Sequence, residues 1–170
     1  MYKTKVIAEA GLNHNGSFKN AIKLINIAKN AEADYVKFQI YSSKNFFNPH
    51  IKKLHTSYFF FKRLKNREFT LDKWKKIYNF SKRKKIKILF SIFDLPSLKI
   101  ITKLNKINEI KIPSGEITNY ELLDRINNLK CKVYLSTGMS TDTEIDKALK
   151  KIKKCDVTLL YCVSEYPAND

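Results

Sequence analysis

A lysine and a glutamine stand two residues apart in the short apolar run Val36-Lys37-Phe38-Gln39. On an extended strand this spacing puts Lys37 and Gln39 on one face and Val36 and Phe38 on the other. A cation and an amide turned into a packed interior are costly to bury without a partner. An anionic ligand would be such a partner. The other reading places both on an exposed face, and burial of a parallel strand on both sides weakens it. Three more segments have comparable content. Glu9-Ala10-Gly11-Leu12-Asn13-His14-Asn15-Gly16 sets a carboxylate near a strand end, ahead of a glycine-bounded polar loop. That loop could also be a plain turn, and His14 could either brace it or act. In Lys111-Ile112-Pro113-Ser114-Gly115-Glu116, a strand lysine precedes a turn whose N–H groups can point at an anion. Glu116 then stands where an acid also simply favours a helix dipole. Leu135-Ser136-Thr137-Gly138-Met139-Ser140 offers hydroxyls and a glycine suited to phosphate oxygens, although such turns are also common as structure alone. Together these residues would suit a small molecule carrying both phosphate and carboxylate, with a polar partner beside it. There is no Ser-His-Asp arrangement, no HxxxH spacing and no GxGxxG fingerprint.

The elements that must position these groups alternate along the chain. Strands are predicted over 5–10, 34–40, 86–92, 108–113, 131–136 and 157–162. Helices are predicted over 18–31, 70–84, 95–104, 119–128 and 141–153. The first helix shows apolar Ile22, Ile25 and Ala28 at helical spacing, with Ser17 as its cap; Thr70 caps the second. Residues 41–69 read as a long irregular stretch rich in aromatics. Five strand–helix units followed by a sixth strand imply parallel strands joined by crossover helices. A doubly wound sheet and a (β/α)8 barrel both fit that order. Glu9, Lys37, Gln39, Ser91, Asp94, Lys111 to Glu116, Ser136, Thr137 and Ser164 fall at or just past the strand ends. A rim of this kind is how a barrel builds its site, whereas a doubly wound sheet concentrates it at one switch point. The expectation is therefore an α/β fold, an incomplete (β/α)8 TIM barrel with about six units present.

The chain has 170 residues, 44% of them hydrophobic, enough for one domain with a core. Its net charge of +17 raises the question of nucleic acid. The lysines, however, are spread over nearly every polar segment, and only Lys82-Arg83-Lys84-Lys85 is dense. A solvated lysine-rich surface that steers anions inward is the simpler account. Cys131, Cys155 and Cys162 show no CxxC spacing and read as reduced thiols. No apolar run reaches the length of a membrane span, and the first residues are too short and polar for a signal peptide. A cytoplasmic location is expected, with no nucleic-acid or membrane partner.

Six segments, IAEAGLNHNGS, DYVKFQ, FSIFD, KIPSGEITNYELL, LSTGMST and LLYCVSEYP, resemble the sialic acid synthase family in order and spacing. The family makes N-acetylneuraminate and the related legionaminic and pseudaminic acids. The resemblance covers nearly all of the chain. It implies condensation of phosphoenolpyruvate with an open-chain N-acetylated hexosamine of the N-acetylmannosamine type, releasing phosphate. By motif, Lys37, Ser91, Lys111, Ser114 and Ser136 would hold the phosphate and carboxylate of phosphoenolpyruvate. Gln39, Ser164 and Tyr166 would face the sugar. Glu9 and Glu116 would serve sugar binding and proton handling around the attacking water. The resemblance also implies a divalent cation, Mn2+ or Mg2+, held by histidines on later strands outside this chain, and a homodimer for the full-length protein. Residues 1–170 would then be the N-terminal portion of the barrel domain, lacking the final strands and a C-terminal antifreeze-like domain. Three departures stand out: Ser91-Ile92-Phe93 where Thr-Pro-Phe is usual, Pro113 where Gly is usual, and Ser164 where some members carry Asn. Two other readings compete with the synthase. One is a truncated, inactive remnant that at most binds anionic ligands. The other is a basic nucleic-acid-binding module, which would show steeply salt-dependent binding.

Overall fold

The computed structural model describes residues 4–46, 55–104 and 107–165, leaving aside the side chains of 46 and 55–58. The strands are β1 (Ile7–Gly11), β2 (Tyr35–Ile40), β3 (Lys87–Ile92), β4 (Glu109–Ile112), β5 (Lys132–Ser136) and β6 (Asp156–Leu160). The helices are α1 (Phe18–Asn30), α2 (Ser43–Phe46), α3 (His55–Lys65), α4 (Leu71–Arg83), α5 (Leu95–Thr102), α6 (Tyr120–Asn127) and α7 (Asp142–Lys151), with a 3-10 turn over Ser114–Glu116. All neighbouring strands are parallel, and the sheet runs β1-β2-β3-β4-β5-β6 in chain order. The order reversal that defines a doubly wound sheet is absent among the described residues. Consecutive parallel order is that of a barrel wall.

The helices begin where short polar side chains can satisfy their first amides. Ser17 accepts from the Asn20 N–H at 3.3 Å and Thr70 from Lys73 at 3.4 Å. Thr141 and Glu144 form a reciprocal capping box at the start of α7. Helices α1, α4 and α6 each turn one apolar stripe toward the sheet: Ala21, Ile25 and Ala28 of α1, Trp74 and Ile77 of α4, and Leu122, Leu123 and Ile126 of α6. These pack on Val36, Phe38, Ile40, Phe90, Ile92, Ile110, Ile112, Val133 and Leu135 to form the main core. The alternate residues of the same strands face the other way, where Tyr35, Leu89 and Tyr134 form a separate small cluster. The pleat thus divides every strand into a core face and an inner face, and the polar side chains fall on the inner one.

One expectation fails. The stretch over 41–69 is not irregular throughout, since it carries α2 and α3. Three consecutive phenylalanines, Phe59 to Phe61, hide the helical period, and of the described α3 side chains only Leu64 is buried. The basic run Lys82 to Lys85 lies exposed at the end of α4, with cations over the Tyr78 and Phe80 rings at 5.6–5.7 Å. This is the solvated helix end that the composition suggests. The three cysteines are free thiols. Among the described residues no helix is long and apolar enough to cross a membrane.

The loop after β1 is pinned by backbone crowding. Gly16 has φ +76°, and a Cβ there would lie 2.1 Å from the Asn66 carbonyl oxygen. Gly16→Ala therefore combines a left-handed backbone penalty with a clash against main chain. It is expected to lower unfolding stability by more than about 1 kcal/mol, read from urea unfolding; an unchanged midpoint would show that the loop yields freely.

Candidate functional site

Strand register builds the site. Glu9 of β1 lies opposite Lys37 of β2. Gln39, Ser91 and Lys111 form the next row across β2, β3 and β4. All five side chains belong to the inner face, at or near the carboxyl ends of their strands. Lys37 is paired with Glu9, and its side chain is only 13% exposed, which removes the reading of an exposed strand face. Gly11, at φ +49°, lets the chain turn over this pair: a Cβ there would meet Glu9 Oε1 at 3.3 Å and Gln39 Nε2 at 4.0 Å.

The charges do not balance. Burial pushes the Lys111 amine down to about 8, and the adjacent Lys37 cation pushes the same way; Cys162 and Glu9 oppose them. Two neighbouring cations thus share one carboxylate in a partly desolvated space. Ser91 adds an unsatisfied donor, because its hydroxyl is buried with no hydrogen-bond partner among the described residues. Buried hydroxyls are ordinarily bonded, so this one points to a missing acceptor.

The loops after β4, β5 and β6 converge on Gly138. Its N–H donates to Ser114 Oγ at 3.0 Å. A Cβ on Gly138 would fall 2.6 Å from Ser164 Oγ, 3.1 Å from Ser114 Oγ and 3.3 Å from the Cys162 carbonyl. A side chain at 138 would force the Ser164 hydroxyl to move and crowd the other two loops. Because Ser114 Oγ accepts from the backbone, its own proton is directed elsewhere. Ser136 is buried beside these loops at the end of β5, and Thr137 is tied by its N–H and hydroxyl to the Leu160 carbonyl. The Glu116 and Ile117 amides are already bonded to Pro113 and Ser114 carbonyls, so these two turn N–H groups are not spare.

Glu116 ends the 3-10 turn after β4. Burial pushes its carboxyl above the usual range; a 2.8 Å hydrogen bond from Asn119 Nδ2 opposes this, and nearby Asp94 adds to it. Asp94, which falls among the rim residues in the sequence, is occupied with structure. Its Oδ1 caps α5 through the Ser97 amide at 2.7 Å, and Oδ2 accepts from the Ser42 amide at 2.6 Å. His14 likewise braces its loop. It is fully buried, accepts from the Gly16 amide through Nδ1 at 3.1 Å, and stacks on Phe69 with ring centroids 4.4 Å apart. Burial, with the Arg67 charge, drops its pKa to about 4, so the imidazole is neutral at physiological pH. Tyr166 lies outside the described residues.

The sequence alone gives no sign of Gly138 as a meeting point, since its neighbours are 24 and 26 residues away in the chain. Nor does it reveal the Asn119 contact to Glu116, although Asn119 reads clearly as a helix start. At the opposite, N-terminal strand ends, Tyr35 and Tyr134 donate to Glu109 Oε2 at 2.7 and 3.1 Å, and Lys87 to Oε1 at 3.1 Å. Burial raises the Glu109 carboxyl, but these donors prevail and hold it below the usual range. A cavity of about 790 Å³ opens at that end, lined by Lys5, Tyr35, Lys87 and Glu109 among others. None of the residues nominated from the sequence lines it, and chemistry is better sought where the unpaired cation and the bare hydroxyl lie.

The geometry agrees with similarity to known proteins. The profile of the NeuB family matches residues 24–170. An N,N'-diacetyllegionaminic acid synthase of Campylobacter jejuni is 41% identical over 99% of this chain and 54% of its own length. An N-acetylneuraminate-9-phosphate synthase of Drosophila melanogaster is 30% identical over 96% of this chain and 46% of its own. The crystal structure of an N-acetylneuraminic acid synthetase from Leptospira borgpetersenii, in complex with citrate, superposes with TM-score 0.87 at 32% identity, covering 98% of this chain and 57% of that one. The chain spans about half the length of the curated relatives it matches. With its parallel sheet, its polar strand-end rim and this match over most of its length, the chain belongs to the NeuB family, whose similar members are named as legionaminic and sialic acid synthases.

Proposed function

We propose that this chain carries the phosphoenolpyruvate-binding half of a nonulosonic acid synthase site, acting in condensation of phosphoenolpyruvate with an N-acetylated amino sugar. The observation that carries the reading is the surplus of partly buried positive charge: Lys37 is paired with Glu9, Lys111 feels both charges, and the Ser91 hydroxyl beside them has no partner among the described residues. A ligand with a phosphate and a carboxylate supplies both the missing charge and the missing acceptor. The similar proteins are named for N,N'-diacetyllegionaminic acid and N-acetylneuraminate 9-phosphate, and products of that class are what an N-acetylated amino-sugar partner would give. We read the six strands as the wall of a (β/α)8 barrel whose remaining strands would pair with β1 and β6; each of these has one strand neighbour among the described residues. Residues 1–170 are then the N-terminal portion of the synthase domain in a cytoplasmic homodimer, with an antifreeze-like domain beyond it.

In this reading the lysines and Ser91, Ser114 and Ser136 hold phosphoenolpyruvate so that its C3 faces the sugar aldehyde, near Gln39 and Ser164. C3 attacks the aldehyde carbon and forms the new C–C bond, leaving cationic character at C2 and an alkoxide on the sugar. Water adds at C2 and gives up a proton to a carboxylate, for which Glu116, with its raised affinity for protons, is the choice. The C2–O bond to phosphate then breaks as the new C2 hydroxyl passes its proton to the departing phosphate and becomes the carbonyl, and the alkoxide takes up the proton held by Glu116. A divalent cation would polarise the aldehyde. Among the described residues no three His, Cys, Asp or Glu side chains gather to hold one, so no step is assigned through it here. The remnant reading shares the anion site and lacks turnover. It is separated by assaying phosphate release with phosphoenolpyruvate, N-acetylated hexosamine and Mn2+.

Lys37→Ala is expected to weaken phosphoenolpyruvate binding to this chain roughly 10- to 100-fold, the worth of one charge-assisted bond. Calorimetry checks this, and wild-type affinity would remove Lys37 from the site. Glu116→Gln in the complete protein should lower kcat by about 10²- to 10⁴-fold with little change in KM; steady-state kinetics decide, and a change confined to KM would reassign Glu116 to sugar binding. An anion favours the protonated Lys111 amine. Below about 8 that proton is already present, and above it binding must take one up. Affinity should therefore fall as pH rises through about 8, with proton uptake visible in buffers of different ionisation enthalpy. Affinity rising over that interval would contradict the assignment.

A further inference from the structure

We propose that Asn119 is a positioning residue for Glu116, its amide locked at one end by the cap of α6 so that the other end must hold the Glu116 carboxylate. This rests on the reading of Glu116 as the group that handles the proton of the attacking water.

An asparagine amide has two different ends, and both are used here. Oδ1 accepts from the Leu122 N–H at 3.2 Å, as an N-cap does. The amide plane then fixes where Nδ2 lies, and Nδ2 donates to Glu116 Oε2 at 2.8 Å. A flipped amide would lose the cap and set oxygen against oxygen, so the helix start dictates the orientation. The turn shortens the reach further: the Asn119 N–H donates to the Glu116 carbonyl at 3.0 Å, which keeps the two residues three apart in one tight loop. Oε2 is thereby occupied, and no hydrogen bond from the described residues reaches Oε1. The carboxylate keeps one oxygen without a hydrogen bond from the described residues. This suits a group that must take a proton from a water and later give one up.

The same contact sets the proton affinity of Glu116 against its other neighbours. Burial and the Asp94 carboxylate, held at the cap of α5, both favour the protonated form; the Asn119 donor favours the ionised one. Without Asn119, burial and the Asp94 charge would act on Glu116 without that opposing donor, and its carboxyl would be pushed further up.

The test follows the Glu116 carboxyl carbon by NMR titration in this chain, assigned by its loss in Glu116→Gln. Asn119→Ser keeps a hydroxyl for the cap but loses the amide Nδ2 and its reach to Glu116 Oε2; Asn119→Asp keeps cap and shape but replaces the donor with a like charge. Glu116 should titrate at higher pH in both variants, further in Asn119→Asp, while the thermal midpoints stay near that of the parent. If either variant folds and Glu116 titrates as in the parent, Asn119 is a helix cap only and the inference fails. The titration needs no turnover. A shift without activity in the complete protein would leave the positioning intact and count against the synthase reading instead.

Discussion

Everything in this site follows from turning two ammonium groups, one on β2 and one on β4, onto one partly buried inner face close enough to feel each other's charge. Lys37 and Lys111 project from strands β2 and β4 onto the inner face, with one carboxylate, Glu9, to neutralise them. Like charges in a medium of low effective dielectric repel strongly, and each loses hydration on burial. The fold tolerates this because the rest of the strand is anchored by its other face, where Val36, Phe38, Ile110 and Ile112 are fully or almost fully buried. An anion entering between the lysines gains a field already organised for it, with little rearrangement needed.

The two ends of the sheet solve opposite problems. At the N-terminal strand ends the inner polar groups are closed on one another: Glu109 receives Tyr35, Tyr134 and Lys87 and has little left to offer a ligand. At the carboxyl ends the groups are left open, with a bare Ser91 hydroxyl and a surplus cation. Satisfied polar networks stiffen a structure, whereas unsatisfied ones bind. The stiff end and the open end lie on the same strands only a few residues apart, so the site inherits the rigidity of the layer beneath it.

Much of this was legible in the sequence, and for physical reasons. The i, i+2 spacing of Lys37 and Gln39 foretold their shared face, because strand geometry admits no other arrangement. Ser17 and Thr70 announced helix starts, because a cap is a local interaction. Helix α3 was lost because Phe59 to Phe61 erase the period that reveals a helix, and because its packing uses little more than Leu64 among its described side chains. His14 could not be settled from sequence, since its neutrality depends on Phe69, Trp74 and Arg67, more than fifty residues away. Asp94 looked like a rim acid and proved to be a cap and a brace for Ser42. Gly138 gave no local signal, because its necessity is a crossing of three loops.

The central claim is that the open end is built for an anion carrying both phosphate and carboxylate. The most direct measurement is a crystal structure of this chain with phosphoenolpyruvate. The account predicts the ligand between the Lys37 and Lys111 ammonium groups, with one of its oxygens accepting from Ser91 Oγ and another near Ser114 and Ser136. Phosphoenolpyruvate bound at the N-terminal cavity near Tyr35 and Glu109, or a strand-end rim that stays vacant at saturating ligand, would contradict it.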